Sequence, residues 1–387
     1  MLTRPDPEQD GLEVRRLLGR LRGSEAGPTL ICLGGIHGNE PAGIEGILRV
    51  FRALEAKTPR MRGELVGLAG NRRALRNGRR FLQRDLNRIW LDEAVARVRS
   101  GKASSPEEKE LAELDRELRE IMERARGRVY LLDLHTTSGP GPAFGLVEDS
   151  LVNRRFGMTI PAPIVLGIEE ELDGTVLHFM SRRGVTTVGF EAGQHRDPRA
   201  PERAAGAVWV ALERAGLLDR RHPEAVPAIE RLRRESRNLP RVVEVRYRHG
   251  FAPDDRFQMD PGHESFEPVV PTDPIASDLR GPVAPPEPGL LLMPLYQSPG
   301  EDGFFVVRPV KRLWLRVSTA LRHLRADRVL PHLPGVEHHP ERPDAFLVDR
   351  AVARWFALEL FHLLGFRRKG PTGRYLTMVR RHDGIHH

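Results

Sequence analysis

Three apolar runs in this chain each stop at a short polar cluster, and that repeated junction constrains the fold more than any other feature. The first run is Pro-Thr-Leu-Ile-Cys-Leu-Gly-Gly at 28–35, and Ile36-His37-Gly38-Asn39-Glu40-Pro41 follows it. The second is Arg-Val-Tyr-Leu-Leu-Asp-Leu at 128–134, followed by His135-Thr136-Thr137. The third runs from Val185 to Phe190 and passes into Glu191-Ala192-Gly193. Short apolar runs bounded by glycine or polar residues read as strands buried on both faces. Residues 62–71 read as a further strand and its exit.

Helical patterns separate these runs. Ile44, Ile47, Leu48 and Phe51 recur at helical spacing after Pro41, and proline suits a first turn because its missing N–H would be unpaired there. Ser105, Pro106 and Glu108 form a capping box that opens a helix over 105–126. Leu111, Leu114, Leu118, Ile121 and Met122 are its stripe, and Gly127 ends it. A third helix is expected from about Glu202 to Ala215. Strands alternating with helices predict an α/β fold with a mostly parallel central sheet flanked by helices on both faces.

The pattern changes after about residue 220. Three regions are expected: 1–220 as the α/β domain, 221–311 as a smaller β-rich domain with a connecting helix, and 312–387 as a helical C-terminal extension. Within the last, helices are predicted at 312–325 and 345–366. The second has a broad apolar face that includes Trp355 and Phe356. The basic tail from Arg367 is expected to fray, and the extension to be a cap or a subunit contact, so a homo-oligomer is open.

The formal charge of +8 invites a nucleic-acid reading. Yet the 61 basic residues are scattered among 53 acids, only five are lysine, and no nucleic-acid motif follows the arginine clusters at 231–237 and 367–381. An arginine-biased surface is the reading taken, with no nucleic-acid partner. No apolar run approaches the ~20 residues of a bilayer span, so no membrane role is expected. The first residues lack a secretory pattern, and the single cysteine, Cys32, allows no internal disulfide. Both suggest a cytoplasmic protein.

Sites in open α/β sheets form outside the carboxyl ends of strands, which is where the three polar clusters fall. His37 and Glu40 are three apart in a turn entering a helix, and His135 lies just past a strand. Two histidines and one carboxylate make a catalytic zinc set with a position left for water. Glu191, a carboxylate at another strand end, could carry the proton between water and a leaving amine. Singly each signal is weak: a His-x-x-Glu pair is more often a surface or cap feature, and a lone histidine after a strand more often a core residue. Asp133 can accept a hydrogen bond behind the ligands. The segment 71–90, with Arg80, Asn87 and Arg88, is either a solvated basic loop or a carboxylate clamp, since guanidinium forks match carboxylates. His195 closely follows the Glu191 cluster and could line a pocket, though a surface role is the reading taken; Cys32 is read as core, and the pairs His338-His339 and His386-His387 as non-ligands.

Together the motifs carry a resemblance. Gly-Gly-x-His-Gly-Asn-Glu at 34–40, Arg-Phe-x-x-x-Asp-Leu-Asn-Arg at 80–88, Asp-Leu-His at 133–135 and Gly-x-Glu-x-Gly at 189–193 resemble the succinylglutamate desuccinylase/aspartoacylase family. Its members are relatives of zinc carboxypeptidases that cleave the acyl group from N-acyl amino acids. The resemblance covers roughly residues 28–215. It implies one zinc per chain held by His37, Glu40 and His135, and Glu191 as general base and acid. It also implies Asn87 and Arg88 on a substrate carboxylate, and Arg80 on the scissile carbonyl. A β domain covering the site is implied too, with residues 240–310 as its counterpart. Arg182 is the nearest match to an arginine that binds a second substrate carboxylate, and Tyr296 to a β-domain tyrosine that touches substrate. The expected partner is a small acidic N-acyl amino acid. A carboxypeptidase-like metallopeptidase and a non-catalytic protein that binds acidic ligands are the alternatives.

Overall fold

The computed structural model describes residues 14–57, 60–218, 221–349, 351–352, 357–372 and 374–381. The expectations for the first residues, for Trp355 and Phe356, and for His386-His387 lie outside the described residues.

The strands in chain order are β1 (Leu17–Arg22), β2 (Glu25–Gly34), β3 (Arg62–Ala69), β4 (Val129–Thr137), β5 (Phe144–Val147), β6 (Ile164–Leu166), β7 (Thr186–Gln194) and β8 (Val242–Gly250). Then come β9 (Gln258–Met259), β10 (Pro268–Val269), β11 (Ala276–Asp278), β12 (Gly281–Val283), β13 (Gly289–Leu292) and β14 (Asp302–Pro309). The helices that flank them are α1 (Ala42–Ala56), α2 (Arg72–Arg76), α3 (Asp92–Arg99), α4 (Pro106–Arg124), α5 (Leu151–Gly157), α6 (Val176–Ser181), α7 (Ala200–Ala215) and α8 (Ala225–Glu235).

Eleven strands form one sheet in the order β1-β3-β2-β4-β7-β5-β6-β8-β14-β13-β10. Its centre is parallel: β2 pairs with β3 and β4, and β4 with β7. Alternation of side chains explains why both faces are covered. Leu30 and Cys32 of β2, Leu132 and Leu134 of β4, and Val188 and Phe190 of β7 join Ile47, Val50 and Phe51 of α1 and Val208 and Leu212 of α7 in one core. The intervening residues Ile31 and Leu33, with Val66, Leu68 and Leu131, join Leu111, Leu114, Leu118 and Ile121 of α4 in the other. The predicted stripe of α4 is therefore its buried face, and its capping box is present between Ser105 and Glu108. Truncating one such leucine to alanine typically costs about 2–5 kcal/mol.

The strands differ from expectation in two places. The covering β region shares the main sheet. β8 pairs in parallel with β6, and β14 pairs with β8, so the catalytic sheet runs on into it. The edge of β6 would otherwise leave backbone groups unpaired, and β8 satisfies them. Of the strands from β8 to β14, β9, β11 and β12 form a small sheet of their own.

The C-terminal extension is not simply helical. It opens with α9 (Arg312–His323), as expected. Then β15 (Val336–His339), β16 (Arg342–Asp349), β17 (Phe366–Thr372) and β18 (Tyr375–Arg380) form an antiparallel sheet that carries α10 (Ala357–Leu363). Phe346 and Val348 of β16 and Leu376 and Met378 of β18 have period two and share one core with Phe361 and Phe366. The run from Ala345 was merged with the helix behind it. Nor does the basic tail fray before residue 381, because Arg367 and Arg381 are buried.

Candidate metal centre and its cavity

The carboxyl ends of β2, β4 and β7 meet in a cavity of about 680 Å³. After β2 the chain turns through Gly35, whose φ of +71° favours glycine. At Gly38 a Cβ atom would lie 2.1 Å from the backbone of Ala74, so only glycine allows this approach to α2. The turn delivers His37 and Glu40 just before α1. On β4, Asp133 and His135 are two apart and share a face.

His37, Glu40 and His135 are all buried, and one ligand atom from each lies within 4.8 Å of the others. It is the one such His/Cys/Asp/Glu group among the described residues. Glu40 faces the inner nitrogen of both rings, at 2.8 Å from His37 Nδ1 and 3.1 Å from His135 Nδ1. The outer nitrogens are held by carboxylates in turn, His37 Nε2 by Asp85 at 3.1 Å and His135 Nε2 by Asp133 at 2.8 Å. Such outer carboxylates orient metal-binding imidazoles and raise their basicity. Around the two rings, three carboxylates (Glu40, Asp85, Asp133) face one guanidinium (Arg80), which leaves two negative charges. That donor set and charge fit a divalent cation of the zinc type.

Burial would push Glu40 up, but His37 and His135 hold it well below the usual carboxylate range. Burial would likewise lower His135, but Asp133 and Glu40 hold it well above the ordinary histidine value. Glu191 differs: burial pushes its carboxyl up to about 7. It stands opposite His135 in the β4–β7 register, and its Oε2 is buried without a hydrogen-bond partner.

The arginine-rich segment is built by α4. Glu107, buried in the first turn of that helix, accepts the backbone N–H groups of Leu82, Gln83 and Arg84. Asp85 then caps a short turn by accepting from Asn87 N–H at 2.8 Å. Arg80 donates to Asp85 at 2.9 Å and lies 3.6 Å from Glu40. Asn87 Oδ1 accepts from Val176 N–H at 3.0 Å, which leaves its NH2 end for the cavity. Arg88 pairs with Asp302 at 2.9 Å, and Arg248 reaches the same carboxylate at 2.5 Å. Arg80, Asn87, Arg88, Arg248 and Asp302 all line the cavity.

Two predicted residues do not join the cavity lining. Arg182 ends α6 with its side chain 47% exposed and pairs with Asp92 at 3.0 Å on the surface. Tyr296 is 37% exposed, and its hydroxyl donates to the carbonyl of Asp260 at 2.7 Å and accepts from His263 N–H at 3.0 Å. Its neighbours Leu295 and Gln297 face the cavity instead.

Two residues were missed, and the reading of a third changes. Asp85 stands inside the 80–88 motif, and its spacing from Arg80 offered a signal. Gln297 offered none. His195, read as surface, is drawn in: its Nδ1 accepts from Thr136 Oγ1 at 2.8 Å and its Nε2 donates to Gln297 Oε1 at 3.0 Å. Burial lowers its pKa, consistent with a neutral ring.

Residues 26–198 match the model of the succinylglutamate desuccinylase/aspartoacylase catalytic domain. A succinylglutamate desuccinylase of Pseudomonas aeruginosa strain PAO1 is 36% identical over 111 residues, 28% of this chain and 31% of that protein. The chain thus spans about a third of the length of the curated relatives it matches. Among solved structures, the succinylglutamate desuccinylase of Vibrio cholerae superposes with a TM-score of 0.53 at 17% identity, over 74% of this chain and 83% of that one. The product-bound ectoine utilization protein of Ruegeria pomeroyi gives 0.52 at 18%, over 75% and 87%. These two likenesses show a shared fold.

Proposed function

Over residues 26–198 the chain belongs to the succinylglutamate desuccinylase/aspartoacylase family, and from that premise we propose that it is a zinc-dependent hydrolase that removes the acyl group from a small N-acyl amino acid. The observation that carries this reading is the triad His37, Glu40 and His135 with Glu191 opposite His135 across one strand pair. A zinc ion held by the triad would supply Lewis acidity, polarising a carbonyl and acidifying water.

The chain's own residues do the rest. Glu191 has one unpartnered buried oxygen and a carboxyl pushed up to about 7. It takes a proton from the attacking water and gives it to the nitrogen of the leaving amino acid, so the C–N bond breaks to a carboxylate and an amine. Arg80, oriented by Asp85, holds the carbonyl oxygen as negative charge develops there. Asn87 NH2 and the Arg88 guanidinium hold the substrate carboxylate, with Arg88 exchanging Asp302 for it. Asp85 and Asp133 keep the two rings in ligand orientation.

The cavity's size favours this over a peptidase reading. A volume of about 680 Å³, bounded by Leu295, Gln297 and Asp302 from the covering region, suits a small molecule. The test is to load the full chain with zinc and measure hydrolysis of N-acyl amino acids against short peptides. Turnover of the former with about one zinc per chain supports the reading; zinc binding without turnover of either would overturn it.

A further inference from the structure

The cavity has a wall that the family motifs do not account for. Glu171, Leu172, Leu177 and His178, from the segment 168–178, line it together with Glu148. The C-terminal sheet holds this wall from behind. That sheet lies wholly beyond residue 198, where the family match ends.

Arg367, the second residue of β17, places Nη2 2.9 Å from His178 Nε2. A guanidinium has donors and no acceptor, so Nε2 must accept and the ring proton sits on Nδ1. His178 Nδ1 lies 3.3 Å from Glu148 Oε1. Arg367 thus sets both the orientation and the tautomer of a ring that faces the cavity. The next residue repeats the arrangement. Arg368 Nη2 donates to Glu171 Oε1 at 2.7 Å, and its backbone N–H donates to Glu170 Oε2 at 3.2 Å. Glu170 is held further by Arg381 and by His362, the latter at 3.2 Å. Arg367, Arg381 and the Glu170 carboxylate are buried. Buried charges are costly unless paired, so these contacts commit the C-terminal sheet to the wall and not merely to the surface.

We propose that the C-terminal sheet is part of the substrate-binding apparatus: Arg367 and Arg368 are positioning residues that set His178 and Glu171, and so select the substrate group that lies against this wall. The inference rests on reading the cavity as an N-acyl amino acid site. It assigns a function in the cavity to a region that otherwise reads as a cap.

The test uses the full zinc-loaded chain with Arg367→Met, Arg368→Met and the double variant, with Arg367→Lys and Arg368→Lys as conservative partners. kcat and KM are measured on a panel of N-acyl amino acids that differ in acyl group and in amino-acid side chain. Hydrogen exchange of the 168–178 segment is followed in parallel. The expected result is a rise in KM of roughly three- to tenfold that is unequal across the panel, with kcat within about twofold and zinc content unchanged. Exchange in 168–178 should quicken, and the lysine variants should recover part of both effects. A fall in kcat at unchanged KM, a loss uniform across the panel, or unchanged KM and exchange would each overturn the proposal. If the wild-type chain hydrolyses no panel member, the functional reading fails separately. Exchange then decides the inference alone, and unchanged protection of 168–178 overturns it.

Discussion

His135 on β4 and Glu191 on β7 are register partners in a parallel strand pair. Neighbouring strands lie about 4.8 Å apart, and partners in register present their side chains on the same face. The distance between a metal-ligand candidate and the candidate base is therefore set by the hydrogen bonds of the most buried part of the sheet. Loop geometry does not enter it.

Glu191→Gln should keep the shape of that pair and remove the proton carrier. Turnover should fall by about 10²–10⁴-fold, the usual share of general acid–base catalysis. Zinc content, read by atomic absorption, should stay near one per chain. Near-normal turnover would rule Glu191 out as the base.

The pH profile should show the same group. Burial raises the Glu191 carboxyl to about 7, and the base works only when deprotonated. In the zinc-loaded enzyme kcat/KM should fall as pH drops, with a limb above the ~4.3 of a solvated glutamate. The cation pulls this limb down and burial pushes it up. A limb at or below 4.3 would mean that burial does not govern this carboxyl.

Asp85→Asn and Asp133→Asn should weaken zinc binding by about 10–100-fold each, measured by competition with a chelator. The substitutions leave the three ligands in place. Unchanged affinity would show that the outer carboxylates do not tune the rings.

Arg182→Ala and Tyr296→Phe should leave KM within about twofold, because neither side chain lines the cavity. Arg88→Ala should raise KM about tenfold or more, as expected for a lost charge-assisted clamp. Steady-state kinetics on one panel substrate separates the two classes.

Asp149 ties the C-terminal sheet down. It is buried among Arg154, Arg322 and Arg381, which hold its carboxyl well below the usual range although burial works the other way. Asp149→Asn removes the carboxylate that Arg154, Arg322 and Arg381 share, while Arg381 keeps Glu170, and should cost about 3–5 kcal/mol, read from denaturant unfolding. The folded-state pKa is depressed, so this contribution is fully present above the unfolded value of ~3.9. It is lost as pH falls through the folded value. The wild-type–variant gap should hold at pH 5–8 and narrow only below about 4.

Much of the site was legible because it sits where chain-local patterns are strongest. Apolar runs that end in glycine or a polar residue mark strand ends, and His37, Glu40, His135 and Glu191 fall beside such ends, while their roles are what the family resemblance implies. What was not legible depends on distant partners. His195 lies one residue past the end of β7, and its inward placement is decided by Thr136 and Gln297, 59 and 102 residues away. Arg182 falls near the expected place in the chain, but it ends α6 facing Asp92. The period-two signal of β16 was masked because α10 follows it closely. β5, which runs antiparallel to β7 and parallel to β6, is four residues long, too short to show a pattern.

The continuity of the sheet through β6, β8 and β14 has a consequence for traffic through the site. A roof hydrogen-bonded to the floor it covers cannot swing as a hinged lid, since rotation would unzip the ladder on each turnover. While no substrate is bound, the Arg88–Asp302 pair pins the same roof a second time. Substrate entry and product exit must then be gated by side chains and by the loop between β13 and β14. What reaches the cavity is then bounded by how far those side chains and that loop can part.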